Sequence, residues 1–271
     1  MKRSKWDQRI QRADELAAAH PFAAQVLRFY KHLTNLQKTL YFSQERVNGN
    51  GSGKRLSRLA DDDLNLELLL PRFPEFLSAV EAIAPDPLAR SAQKLQTLPA
   101  SKWGEFFSSC WCAAADLRSR MDDGEFLFVR TFLQPYAEFL ADNRDGPEQN
   151  GTTGVCPFCQ GKPMVGVLRP EGDGAKRSLL CSLCLTEWNY GRIRCPACGE
   201  EAVEKLAIYT ANQFPYVRVE ACDTCRCYLK TVDLTKNGLA VPVVDELATI
   251  PLNLWAQEHD YVKLQPNLLG I

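Results

Sequence analysis

The sequence predicts an α+β protein: an all-helical N-terminal domain followed by two tandem β-ribbons, each built around four cysteines. Three observations carry this. Residues 1–143 repeat apolar positions at helical spacing, residues 142–154 contain almost nothing apolar, and residues 155–235 hold four Cys-x-x-Cys pairs among short alternating segments. The expected organisation is a helical domain at 1–143, a linker at 144–154, a first ribbon at 155–191, a second ribbon at 192–235, and a C-terminal segment at 236–271 packing on the rest.

In the helical part, Trp6, Ile10, Ala13 and Leu16 define one face of a first helix that ends near His20-Pro21. Pro21 opens a second, since proline at a first helical position lacks only an N–H that would have no partner anyway. Its face carries Phe22, Val26, Phe29, Leu33, Leu36 and Leu40. The run Asn48-Gly49-Asn50-Gly51-Ser52-Gly53 breaks the pattern and reads as a mobile loop. Further helices are expected at 74–84, 87–97, 101–119 and 124–141, punctuated by Pro71, Pro74, Pro85 and Pro87. Trp103, Phe106, Cys110, Ala113 and Leu117 share a stripe, so Cys110 reads as a small core residue; Cys112 lies off that face and has no partner in sequence.

The cysteine-rich part repeats one plan. Cys156/Cys159 leads into a strand at 163–168, a turn at Glu171-Gly172-Asp173-Gly174, a strand at 177–180 and the pair Cys181/Cys184. Cys195/Cys198 leads into strands at 203–209 and 216–220, the pair Cys222/Cys225, and the continuation Cys227-Tyr228-Leu229-Lys230-Thr231-Val232. Between Cys159 and Cys181 lie 21 residues, and between Cys198 and Cys222 lie 23. Two knuckles joined by a hairpin deliver four thiolates to one point, as a tetrahedral metal requires. The candidate ligands are therefore Cys156, Cys159, Cys181 and Cys184 for one ion, and Cys195, Cys198, Cys222 and Cys225 for a second. An interleaved grouping, first knuckle with third and second with fourth, would require long excursions between ligands, against the tendency of neighbouring elements to pair.

Four thiolates suit zinc and also iron of the rubredoxin type, and spacing alone leaves both open. They close the coordination shell and leave no position for water or substrate, so neither site reads as catalytic. Each ribbon is small, so the ion should supply folding energy, on the order of 10–16 kcal/mol for structural zinc. Cys195-Pro196-Ala197-Cys198-Gly199 adds a rigidifying proline and a glycine for the tight turn that lets backbone N–H groups point at sulfur. Cys227 is read as a strand residue facing the core, with an extra thiol near the metal as the alternative. Trp188, Tyr190 and Arg192 beside a knuckle read more readily as packing over the ribbon than as a base-stacking surface, and His20, His32 and His259 are scattered.

Other classes lack support. Residues 151–271 carry 12 Lys and Arg against 13 Asp and Glu, leaving 20 of each sign for residues 1–150 and a net charge of −1. Nucleic-acid binding, which needs a basic excess, is not expected. No apolar run is long enough to span a bilayer, and Met1–Arg9 lacks the apolar core of a secretory signal. A cytoplasmic location follows, where paired cysteines hold metal more often than disulfides. No phosphate-loop, dinucleotide or nucleophile-elbow motif is present.

The four knuckles Cys156-Pro157-Phe158-Cys159, Cys181-Ser182-Leu183-Cys184, Cys195-Pro196-Ala197-Cys198-Gly199 and Cys222-Asp223-Thr224-Cys225 resemble those of the formate dehydrogenase accessory protein family, FdhE type. Leu254-Trp255-Ala256-Gln257-Glu258-His259-Asp260-Tyr261, Asn267-Leu268-Leu269-Gly270 and, less distinctively, Arg12-Ala13-Asp14-Glu15-Leu16 with His20-Pro21 are similar as well. The resemblance implies a cytoplasmic, non-enzymatic maturation factor or chaperone, needed to form active respiratory formate dehydrogenase. It implies contact with that enzyme's catalytic subunit before export. It also implies rubredoxin-like iron binding, which raises iron above zinc for both sites. A zinc-ribbon nucleic-acid module and a small electron-transfer protein stand as the rival readings, and a homo-oligomer stays open.

Overall fold

The computed structural model of the chain describes residues 4–48, 58–111, 121–144 and 153–270. The expected loop at Asn48–Gly53 lies outside these residues beyond Asn48. So do Cys112, the end of the 101–119 helix and residues 145–152 of the expected linker.

Helices come first: α1 (Lys5–Ala19), α2 (Ala24–Asn48), α3 (Leu66–Leu69), α4 (Phe73–Glu81), α5 (Asp86–Gln96), α6 (Ala100–Trp111) and α7 (Asp123–Asp142). Local chemistry sets their starts. Ser4 caps α1 by accepting the Asp7 N–H, and Asp122 and Glu125 form a reciprocal capping box at α7. Pro21 opens a short 3₁₀ turn leading into α2, not α2 itself. Pro135 sits inside α7, where its missing N–H leaves the Thr131 carbonyl without a helical donor. Gln37 of α2 fills that gap, donating from Nε2 to Thr131 O at 2.9 Å and to Gln134 Oε1 at 3.0 Å.

The strands are β1 (Pro163–Glu171), β2 (Gly174–Cys181), β3 (Glu187–Asn189), β4 (Leu206–Thr210), β5 (Val217–Cys222), β6 (Cys227–Asp233) and β7 (Val262–Lys263), with α8 (Pro242–Ala248) and α9 (Ile250–Glu258) between the last two. The start of the segment expected as a strand at 203–209 is a 3₁₀ turn, Val203–Lys205. Both ribbons belong to one sheet, in the order β3-β2-β1-β6-β5-β4, with β7 added to β6. The seam is a parallel pairing of β1 with β6, Gly166 opposite Thr231. A glycine is required there: a Cβ on Gly166 would sit 2.2 Å from Thr231 Oγ1 and 3.2 Å from Thr231 Cβ.

Two cores result. One gathers α4–α7 and the first ribbon around Phe73, Phe107, Phe128 and Phe132, and includes Cys156, Phe158, Cys159, Cys181 and Cys184. The other joins Ala13, Leu16, Leu27 and Tyr30 of the first two helices to the sheet and to α8 and α9. Buried charge is paired at both joints. Arg9 donates to both carboxylate oxygens of Glu138 at 3.1 and 2.6 Å, and Arg12 reaches Asp245 of α8. Lys230, wholly buried, donates to the Glu246 and Thr249 carbonyls and lies 3.0 Å from Glu246 Oε1. Burial pushes this lysine down to about 7, against the attraction of Glu246. Among the described residues, no helix is long and apolar enough to cross a membrane.

Candidate metal centres

Each knuckle is a tight turn that brings its two sulfurs to one side. The N–H of Gln160, Gly199 and Arg226 returns to the carbonyl of the first cysteine of its pair at 2.8–2.9 Å. The residue after the second cysteine is left-handed in all four: Gln160 (φ 62°), Leu185 (56°), Gly199 (81°) and Arg226 (56°). Gly199 adopts this at no steric cost, whereas Gln160, Leu185 and Arg226 hold a strained backbone that the surrounding structure must enforce.

The eight sulfurs gather into two sets of four, each with all sulfurs within 4.8 Å of one another: Cys156, Cys159, Cys181 and Cys184, then Cys195, Cys198, Cys222 and Cys225. Neighbouring knuckles pair, and neither set mixes first with third. Cys156–Cys184 and Cys159–Cys181 stand 3.6 and 3.3 Å apart, and Cys195–Cys225 and Cys198–Cys222 both 3.7 Å. Sulfurs at ~2.3 Å from a tetrahedral ion lie ~3.8 Å from each other. Both donor sets therefore fit such an ion. Backbone N–H groups of Gly161, Leu183 and Ala197 point at the sulfurs of Cys159, Cys181 and Cys195, each at 3.4 Å, the outer support that a thiolate centre needs.

The thiols already favour giving up protons unevenly. Burial raises Cys181, yet its hydrogen bonds with Cys156, Cys159 and Cys184 outweigh that and hold it well below the ordinary thiol range. Cys159 is raised by its hydrogen bond with Cys156, and Cys184 by burial. In the second set Cys222 is lowered by hydrogen bonds that overcome burial, while burial pushes Cys195 up to about 11. Seating a cation would displace the remaining protons, so binding would weaken in acid.

The sets differ in cover. The first is fully enclosed, no cysteine more than 4% exposed, and is held against α7: Arg130 Nη2 donates to Ser182 Oγ at 3.0 Å and Gln134 Nε2 to Ser182 O at 3.2 Å. From the other side the Leu59 N–H donates to Phe158 O at 2.7 Å. The second set is open on one side, with Cys198 exposed and Cys225 half-buried. Arg130, Gln134 and Leu59 have no sequence-local signal, because their partners lie tens of residues away.

Among the described residues, the other two cysteines, Cys110 and Cys227, join neither set. Cys110 is buried in the helical core, where burial pushes its thiol up to about 12. Cys227 begins β6 half-buried and walls an apolar recess of about 120 Å³ with Cys195, Cys222, Ala207 and Leu229. Trp188 and Tyr190 are buried packing residues, and Arg192 is exposed. His20 packs between Phe22 and Phe214, His32 is exposed, and His259 stacks on Trp255.

Residues 155–192 match the family model described as FdhE, central domain, and residues 193–269 the one described as FdhE, C-terminal domain. A "Protein FdhE homolog" of Aquifex aeolicus is 29% identical over 274 residues, covering 96% of this chain and 94% of that one. Residues 155–269 thus match FdhE domains, and the chain along nearly its whole length is similar to an FdhE homologue. Among other FdhE homologues, that of Rhizobium meliloti is 33% identical over 149 residues, an aligned region of 53% of this chain and about half (49%) of the relative. The crystal structure of the FdhE protein from Pseudomonas aeruginosa shares the fold, with a TM-score of 0.72 at 23% identity over 100% of this chain and 97% of that one. The FdhE family models meet at residues 192 and 193, between the second and third knuckles.

Proposed function

We propose that this chain is a non-enzymatic accessory factor in the assembly of respiratory formate dehydrogenase, acting in the cytoplasm on the immature catalytic subunit. The match of residues 155–269 to the FdhE central and C-terminal domains, with similarity to an FdhE homologue over 96% of the chain, carries the reading. Two complete four-cysteine sets support it, since a closed thiolate shell orders a surface and leaves no position for a substrate. In this reading Cys156, Cys159, Cys181 and Cys184 hold one ion and Cys195, Cys198, Cys222 and Cys225 the other, with iron favoured by the family resemblance. The helical domain (1–143), the two ribbons (155–191 and 192–235) and the C-terminal segment (236–271) together present the client-binding surface. When bound, each ion supplies cross-linking energy and, as iron, a one-electron couple. The protein's part is to fix the sulfurs, direct N–H groups at them and exclude water from the first set.

The test is an anaerobic pull-down of tagged chain against the organism's formate dehydrogenase catalytic subunit. A Cys195→Ser/Cys198→Ser double variant serves as control, with metal analysis of both baits. Capture by the native bait and loss with the variant is expected. Failure of both baits to capture, with metal present in the native one, would reject the reading, and salt-dependent DNA and RNA binding would then be measured. A colourless, zinc-loaded protein after anaerobic purification would count against iron.

A further inference from the structure

The Cys222–Cys225 knuckle of the second cysteine set is fastened from the far end of the chain. Helix α9 closes in a Schellman cap: the Asp260 N–H returns to Gln257 O at 3.0 Å and the Tyr261 N–H to Ala256 O at 2.9 Å, with Asp260 left-handed at φ 61°. This turn drives Tyr261 inward, to 4% exposure. Its hydroxyl donates to Asp223 Oδ1 at 2.6 Å, inside the Cys222–Cys225 knuckle. Arg226, the left-handed residue ending that knuckle, lays its guanidinium over the Tyr261 ring at 4.0 Å. It donates to His259 O at 2.5 Å and to Asp223 Oδ1 at 3.0 Å. The Val262 N–H then returns to Arg226 O at 2.8 Å, beginning β7 beside Cys227. Tyr209, ringed by Trp255 at 4.5 Å, backs the strap with its hydroxyl 3.4 Å from that of Tyr261.

We infer that the two centres exchange their cations at different rates, the second being the exchangeable one, and that Tyr261 and Arg226 set its release rate by holding the Cys222–Cys225 knuckle shut. This rests on the metal-centre reading above. A cation leaves a four-thiolate shell when an incoming ligand displaces sulfurs one at a time. Around the first set no cysteine is more than 4% exposed, so an incoming ligand must first displace the residues that cover it. Around the second, Cys198 already faces solvent and Cys225 partly does, so the remaining barrier is the opening of the fourth knuckle. The strap contacts that knuckle at two side chains, Asp223 and Arg226. Tyr261 and Arg226 are thus positioning residues that act on the sulfurs through the backbone. Of the two centres, the second is the one that responds to metal supply.

The full chain, loaded with Zn²⁺, is challenged with excess chromogenic chelator while iodoacetamide traps freed thiols for mass mapping. Release in two phases is expected, one equivalent each. Cys198 and Cys225 should label in the fast phase, and the first set should stay protected. Tyr261→Phe, which keeps the ring, and Arg226→Gln should each accelerate the fast phase on the order of tenfold, the effect typical of groups supporting a metal's ligands, and leave the slow phase unmoved. One common rate for both ions, earlier labelling of the first set, or wild-type fast phases in both variants would overturn the inference. A chain that retains no zinc after desalting would instead overturn the metal-centre reading, and the inference with it.

Discussion

Arg12 of α1 donates from Nε and Nη2 to the carboxylate of Asp245 at the start of α8, joining a half-buried arginine near one end of the chain to a buried carboxylate near the other. Asp245 is wholly buried, and it also accepts from Tyr216 Oη at 3.0 Å and from the Val241 N–H at 2.7 Å. The N-terminal Arg12–Leu16 motif therefore has a structural role: Ala13 and Leu16 pack into the sheet-side core while Arg12 neutralises the carboxylate that caps α8. Arg12→Ala leaves that carboxylate uncompensated and should cost about 3–5 kcal/mol, read from denaturant midpoints at neutral pH. A loss below about 1 kcal/mol would show that Tyr216 and the Val241 N–H suffice.

Acid should loosen the joint between α1 and α7. Burial raises the Glu138 carboxyl, but Arg9 and Lys5 outweigh it and hold it below its ordinary value of 4.5. Its folded value is depressed, so its stabilisation is fully present above about pH 4.5 and is lost as pH falls through the lower folded value. Glu138→Gln should be clearly less stable than wild type at neutral pH, and that gap should close as pH falls below about 4.5. A gap that is constant in pH would remove Glu138 from the acid response.

The two cysteine sets should fail differently. With a cation in place, Cys159→Ser takes a ligand from the set packed against α7, so Arg130 and Gln134 lose an ordered partner at Ser182. Loss on the order of 10 kcal/mol is expected, enough to unfold the first ribbon and expose residues 155–192 to protease. Cys198→Ser should leave the helical region and first ribbon protected. Identical cleavage maps for the two variants would contradict this division.

Gly166→Ala probes the seam between ribbons. The added Cβ meets Thr231, which is wholly buried and cannot move aside without displacing its neighbours. Overpacking should cost about 1–3 kcal/mol, measured by thermal unfolding, and Thr231→Ala in the same chain should recover part of it. An unchanged midpoint in the single variant would mean that the strands part at no cost.

Much of this architecture is legible in the amino-acid sequence. Pro74 and Pro87 mark the starts of α4 and α5, apolar spacing marks the other long helices, and knuckle spacing gives both cysteine sets. The Glu171–Gly174 turn, with Gly172 at φ 55°, joins β1 to β2 as its composition indicated. What escaped had physical reasons. In α8 nearly every residue is buried, including Asp245 and Glu246, so no amphipathic stripe marks it. Strand β3 is three residues long, too short for a period. The left-handed Gln160, Leu185 and Arg226 are not residue types that announce such a turn. The parallel pairing of β1 with β6 joins distant segments, and no local pattern encodes it.

That parallel seam also sets an order of assembly on the ribosome. Strand β1 can close its hairpin with β2 as soon as both have emerged, but the Gly166–Leu168 stretch of its other edge is satisfied only by Thr231–Asp233. Until the chain has been synthesised past β6, the nascent first ribbon carries an unpaired strand edge beside Val165 and Val167, both wholly buried in the finished protein. The second ribbon thus shields the first as it arrives, and a chain arrested before residue 227 would expose an edge open to pairing with another molecule.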